Sequence, residues 1–462
     1  MSPMELVELI LSETEPLQRD RGDRLPLIHW HARALEADDA RLEEIIRDLD
    51  ARGIGFFSLW ETGTSRESSL ALALRVAAIQ KRLGLPVIVF ANGPMHMFFN
   101  GEESTAHVDD EGKPFFDDSF GGTKMGCPFA LEQRIAPMRK GMESFVQAYV
   151  ERDLPIDIAF ADWEIDGPIE WNDAWKNSKR CRRCREHIPD IDDFAAFQKA
   201  LRAIRSRLQK EVLAEPILSA FPKALVGNYG VYPNDGYRYW LDYYEHEDFP
   251  EGVALKTDGG ARYRPWADEF KDTGFTFAMP VVYTWSRCYR WYDDENTDWR
   301  WFTNMLLNAT NAGKSTSPNI PIISWIHHAI IWESGKSSED VVQFSTEKYK
   351  ELLWHMLLRG CDAFALWCTN QEVDFETRPL HEVYAESLEW REFLDRGQPV
   401  SFEVPRGAGP VVSGLRLGDR MLVRRTDFGD PSAPASITVG GKTLPVPSAP
   451  GVCRVIGLSS SP

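Results

Sequence analysis

No stretch of the 462-residue chain approaches the roughly 18 consecutive apolar residues of a membrane span, and no internal repeat or low-complexity tract interrupts it. Basic residues are outnumbered: 52 Lys and Arg stand against 70 Asp and Glu, a formal charge of −18. That balance argues against a nucleic-acid partner, because phosphate binding needs clustered Lys and Arg. Cysteine is sparse, seven residues at scattered positions, which does not make a disulfide framework and points to a reduced compartment. The N-terminal MSPMELVELI has neither the basic region nor the apolar core of a signal peptide, which leaves the compartment open between cytoplasm and export after leader removal. What is present is ordinary globular composition, 43% hydrophobic and 26% charged, in a chain long enough to fold without a metal or disulfide.

Short apolar runs alternate with amphipathic stretches. The runs lie at 25–30, 53–60, 85–90, 156–163, 217–232, 275–283, 320–326 and 362–367. Continuous apolar runs suit strands buried on both faces of a parallel sheet. Helical patterns fall between them, near 39–53, 68–84, 132–151, 192–212, 297–310, 343–359 and 380–395, with a weaker one at 261–272. Eight strand–helix pairs predict a (β/α)8 barrel over 25–397, behind a helical extension at 1–24. A doubly wound open sheet is the competitor, but no Gly-rich phosphate turn follows the first strand. From 398 to 462 polar and apolar residues alternate between Gly and Pro, which predicts a small antiparallel β domain that packs on the barrel.

In such a barrel the chemistry sits at the C-terminal ends of the strands. The fourth run ends Phe160-Ala161-Asp162-Trp163-Glu164. Residues two apart on a strand share a face, so Asp162 and Glu164 form a carboxylate pair. Two close carboxylates do not both ionise cheaply, and the one pushed up in pKa can protonate a glycosidic oxygen.

The segment Asp157-Ile-Ala-Phe-Ala-Asp162-Trp163-Glu164 resembles the fourth-strand signature of family 18 chitinases, Asp-x-x-Asp-x-Asp-x-Glu. Its Asp-Trp-Glu triplet is similar to the catalytic motif of family 56 hyaluronidases. Met279-Pro-Val-Val-Tyr283, Leu366-Trp367 and the stretch 227–237 are similar to further segments of these enzymes. The resemblance implies a glycoside hydrolase acting on an N-acetylhexosamine-containing glycan with the substrate's own acetamido group as nucleophile. Glu164 would then be acid and base, Asp162 would orient the acetamido group, Tyr283 would bond its oxygen, and Trp367 would floor the subsite. Phe160 replaces the middle Asp of the chitinase signature, and the third strand lacks the chitinase Ser-x-Gly-Gly.

Other readings compete for the same barrel mouth. Glu61 or Glu333 could serve as nucleophile in a retaining glycosidase. His29 and His31 have the His-x-His spacing of metal-dependent barrel hydrolases, although lining of a sugar cleft is the expected role for these and for His96, His327 and His328. Cys181, Cys184 and His187 offer three zinc ligands where a structural site needs four, so free thiols and no metal or cofactor are expected. Trp60, Trp163, Tyr232 and Trp285, with Asn92 and Asn228, complete the expected substrate-binding set. A carbohydrate is the one expected partner, and oligomeric state is not legible.

Overall fold

The structure is a computed structural model that describes residues 1–94, 101–120, 123–163, 174–230, 271–289, 294–316, 320–332, 340–405 and 407–458. Eight parallel strands close into a barrel: β1 (Leu27–Arg33), β2 (Ile54–Leu59), β3 (Ile88–Phe90), β4 (Ile158–Ala161), β5 (Leu225–Gly230), β6 (Met279–Trp285), β7 (Ile323–Ile331) and β8 (Ala363–Leu366). The (β/α)8 expectation holds, because these runs are apolar on both faces: β3, β4 and β8 are buried at every position.

The N-terminal helix α1 (Pro3–Glu13) packs against the barrel's closing edge, starting at a Ser2–Glu5 capping box. After β1 comes α2 (Asp39–Asp50), which Asp38 caps through the Arg41 N–H and which buries Leu42, Ile45, Ile46 and Leu49 as one stripe. The next helix, α3 (Arg66–Leu83), stops at Gly84, whose φ of 70° is the left-handed conformation that favours glycine. The further barrel helices are α4 (Leu131–Val150), α5 (Phe194–Gln209), α6 (Thr297–Ser315), α7 (Thr346–Leu357) and α8 (Val373–Ser387). One expectation fails locally. The fifth strand run was expected to include residues 217–221, yet Glu215–Ala220 is helical and continues α5 through a π turn at Lys210–Ala214. The weak helical pattern at 261–272 lies almost wholly outside the described residues.

Aromatic rings fill the lumen. Trp325 of β7 lies 6.1 Å from Trp30 of β1, 6.1 Å from Phe160 of β4 and 6.0 Å from Tyr229 of β5, ring centre to ring centre. These strands are not neighbours of β7, so the contacts run across the barrel centre. Phe57 and Phe90 join from β2 and β3, each within 5.2 Å of Phe160. This fixes the facing of those six strands, since alternate residues point the other way.

Behind the barrel, Gln398–Pro399, Val411–Leu417, Arg420–Thr426 and Arg454–Gly457 form an antiparallel sheet, with a separate hairpin at Ser436–Val439 and Lys442–Pro445. Buried polar groups fasten the sheet to α7. Arg424 makes two bonds to Glu351, at 2.7 and 2.9 Å, and His355 lies between Ser413 and Thr426.

Candidate functional site

The strand parity set by the lumen rings sorts the expected site residues. Tyr283 sits two residues before Trp285 on β6, with Trp285 half-buried, their rings 6.1 Å apart. Trp367, just beyond β8 and half-buried, stacks on Tyr283 at 6.0 Å and 29°. Both lie above Trp325, which closes the barrel below them. Phe90 and Phe160 are register partners with facing rings, so Asn92 and Asp162, each two residues on, come level at the rim of β3 and β4. The structure thus brings Asp162, Asn92, Tyr283, Trp285 and Trp367 to one end of the barrel. Glu164, Tyr232 and Glu333 lie outside the described residues, as does His96.

Three expected substrate contacts face the wrong way. Trp60 is 1% exposed and stacks on Phe145 of α4 at 5.0 Å, with its Nε1 donating to the Tyr149 hydroxyl. Trp163 is 2% exposed, one residue out of step with Phe160 and Asp162. Asn228 is fully buried and gives both amide atoms to the Trp163 main chain. All three belong to the layer between strands and helices, where no ligand in the lumen can reach them.

The His-x-His reading fails for the same reason. Trp30 points into the lumen, so His29 and His31 point out of it. His29 Nε2 lies 2.9 Å from Thr377 Oγ1 on α8, and His31 Nε2 lies 2.9 Å from the Cys368 carbonyl. Burial drives the His29 pKa down to about 3, with the adjacent His31 adding to the effect. The pair is neutral and structural.

Glu61 is exposed beyond β2, with its N–H bonded to Ser69 Oγ. Its charge favours the charged form of Arg33, whose pKa is lowered mainly by burial and whose guanidinium lies 5.4 Å from the Trp30 ring. Arg33 and Glu61 therefore place opposite charges on the β1–β2 side of the mouth.

No expectation from the sequence covered the group that organises the β7–β8 side. Glu376 of α8 is fully buried; its carboxylate accepts the N–H groups of His328 and Ala329 at 2.7–3.0 Å, where β7 departs from regular register with β6. Burial pushes its pKa up to about 8, against the pull of those N–H donors. It also lies 3.3 Å from His327 Nδ1. His327 Nδ1 is 2.8 Å from the Trp367 carbonyl, and donation there leaves Nε2 as an acceptor. Burial lowers the His327 pKa, so the ring is neutral, with its centre 5.8 Å from Tyr283 and 5.0 Å from Trp367. The sequence signal for Glu376 was faint: one carboxylate on the buried face of a helix.

No protein-family description matches the chain, and no curated protein sequence matches it. Solved structures do. The GH36 α-galactosidase of Geobacillus stearothermophilus is 12% identical over 97% of this chain and 58% of that one, with a TM-score of 0.45. A β-galactosidase of the Antarctic haloarchaeon Halorubrum lacusprofundi is 11% identical over 80% and 59%, at 0.47. The isomaltulose synthase of Protaminobacter rubrum is 8% identical over 89% and 91%, at 0.40. The chain spans less than two thirds of the two galactosidases, and none of the three is a chitinase or hyaluronidase by name. Likeness this distant says nothing of reaction or residues.

Proposed function

We propose that the protein is a glycoside hydrolase whose reaction takes place at the C-terminal mouth of the barrel, on a glycan containing an N-acetylhexosamine. The observation that carries this reading is the Tyr283–Trp367 stack above Trp325, with Asp162 on the lumen face of β4. Aromatic faces accept the C–H faces of a pyranose ring, and the Tyr283 hydroxyl supplies the polar contact that orients it. The blind floor favours a sugar seated end-on in the cup.

In the reaction Glu164 donates its proton to the leaving glycosidic oxygen. The substrate's acetamido oxygen attacks the anomeric carbon from the other face and closes a five-membered ring. Asp162 holds the acetamido N–H through this step. Water then opens the ring at the anomeric carbon, giving its proton to Glu164 and restoring the acetamido group.

The test is a panel of aryl glycosides and oligosaccharides with and without the 2-acetamido group, together with a thiazoline that mimics the cyclised intermediate. Hydrolysis confined to N-acetylated substrates and inhibited by the thiazoline supports the reading. Rapid hydrolysis of simple glucosides or galactosides without thiazoline inhibition rejects substrate assistance and directs attention to Glu61 or Glu333 as nucleophile.

A further inference from the structure

The loops after β3 and β4 meet in a small core of their own, away from the lumen. Cys127, Ala174, Trp175, Cys181, Cys184, Ile188 and Phe197 are buried together there. Within it, one ligand atom each from His107, Cys127, Cys181 and Cys184 lies within 4.8 Å of every other. The Cys127 Sγ is 3.6 Å from that of Cys184 and 3.8 Å from that of Cys181, and Cys184 Sγ is 3.8 Å from His107 Nδ1. All four residues are at most 2% exposed, and the three cysteines are free thiols. A tetrahedral zinc with Zn–S bonds of about 2.3 Å separates its sulfurs by about 3.8 Å, so the cluster already has the right edge length.

We propose that His107, Cys127, Cys181 and Cys184 hold a structural zinc ion that ties the β3 loop to the β4 loop. The surroundings are those of a metal site. The Val108 N–H donates to Cys181 Sγ at 3.5 Å, a contact that steadies a thiolate. The His107 ring is fixed by stacking on Phe115 at 5.1 Å and 17°. Gly126 lets the chain pass close enough to seat Cys127: a Cβ there would meet the Thr105 carbonyl at 2.3 Å, and the Cys127 N–H bonds that same carbonyl at 2.7 Å. Three thiolates, a neutral imidazole and Zn2+ carry a net charge of −1, and the buried Arg134 guanidinium senses the charge of Cys127 and offsets it.

The spacing Cys181-Arg-Arg-Cys184 is half of this site. The sequence suggested His187 as the third ligand, but His187 is exposed, stacks on Phe129 at 4.5 Å and places Nδ1 2.8 Å from the Arg183 carbonyl. The missing ligands come from 54 or more residues upstream, on the other loop.

The test uses the full chain, purified reduced and without chelators. Elemental analysis should find about one zinc per chain, X-ray absorption should show three sulfurs and one nitrogen, and Co2+ exchange should give a thiolate-to-cobalt charge-transfer band. Cys184→Ser should lower zinc content to about a tenth or less and reduce the melting temperature, whereas His107→Cys should keep the metal with four sulfurs. Because absorption and cobalt spectra are read on the native chain, a poorly folding variant does not blunt the test. Metal-free protein that gives no cobalt band, zinc retained by Cys184→Ser, or a disulfide between any two of the three cysteines in freshly isolated protein would each overturn the assignment. None of these readouts depends on the reaction at the barrel mouth.

Discussion

Asn228 treats Trp163 as another peptide would: its Oδ1 accepts the Trp163 N–H at 2.8 Å, and its Nδ2 donates to the Trp163 carbonyl at 3.3 Å. That carbonyl also accepts from Arg205 at 2.9 Å. The main chain at the end of β4 is thereby held at Trp163, the residue that follows Asp162.

Replacing Asn228 by Ala removes its Oδ1 from the Trp163 N–H and its Nδ2 from the Trp163 carbonyl, while Arg205 still serves the carbonyl. The expected loss is about 1–3 kcal/mol in urea denaturation. A positioning role for Asn228 predicts that kcat falls more than KM rises. Unchanged stability and kinetics would refute this role.

Glu164→Gln keeps the shape of the side chain but removes the proton that the proposed reaction requires of it. The fold should be intact by circular dichroism, and kcat should drop by about two to four orders of magnitude. Activity within about tenfold of the wild type would take Glu164 out of the acid role.

The barrel was legible because strands buried on both faces leave continuous apolar runs, and β3, β4 and β8 are such runs. Side-chain facing leaves no such trace in the sequence. Trp163 stands one residue from Asp162, and His29 and His31 flank Trp30, so parity alone separates lumen from helix layer at these places. Once one lumen residue is known on a strand, the rest follow, but only the structure shows that Trp30, Phe160 and Trp325 meet. Trp60 and Asn228 stand near strand ends, where position alone does not tell lumen from helix layer. Glu376 and the pairing of His107 and Cys127 with the Cys181–Cys184 segment depend on contacts between distant parts of the chain, which leave no periodic trace.

Glu376 makes stability depend on pH. Its folded pKa of about 8 lies above the ordinary carboxylate value, so the folded chain holds a proton that the unfolded chain has released. This contribution is complete below about pH 4.5 and is lost as pH rises towards about 8, after which it is flat. In thermal melts, the advantage of wild type over Glu376→Gln should shrink from pH 5 to pH 8 and change little beyond. Parallel pH curves for the two proteins would show that the carboxyl is ionised throughout.

The buried Arg424–Glu351 pair joins the C-terminal sheet to α7, with side chains 5% and 8% exposed. Arg424→Ala strands the Glu351 carboxylate, with Thr426 its remaining partner, and should destabilise the chain by about 3–5 kcal/mol. The double change Arg424→Met with Glu351→Leu should recover most of that, since apolar replacement of a whole buried pair is often neutral. A double variant as unstable as the single one would mean that the charges themselves are required.

Because its centre is plugged by rings from six strands, this barrel has little freedom to diversify from within. Trp325 leans on Trp30, Phe160 and Tyr229 at once, and removing a buried aromatic ring costs about 3–5 kcal/mol before any neighbour has adjusted. Lineages descending from this chain would therefore inherit the ring cluster as a block, and new specificities would arise by lengthening and reshaping the connections above the rim.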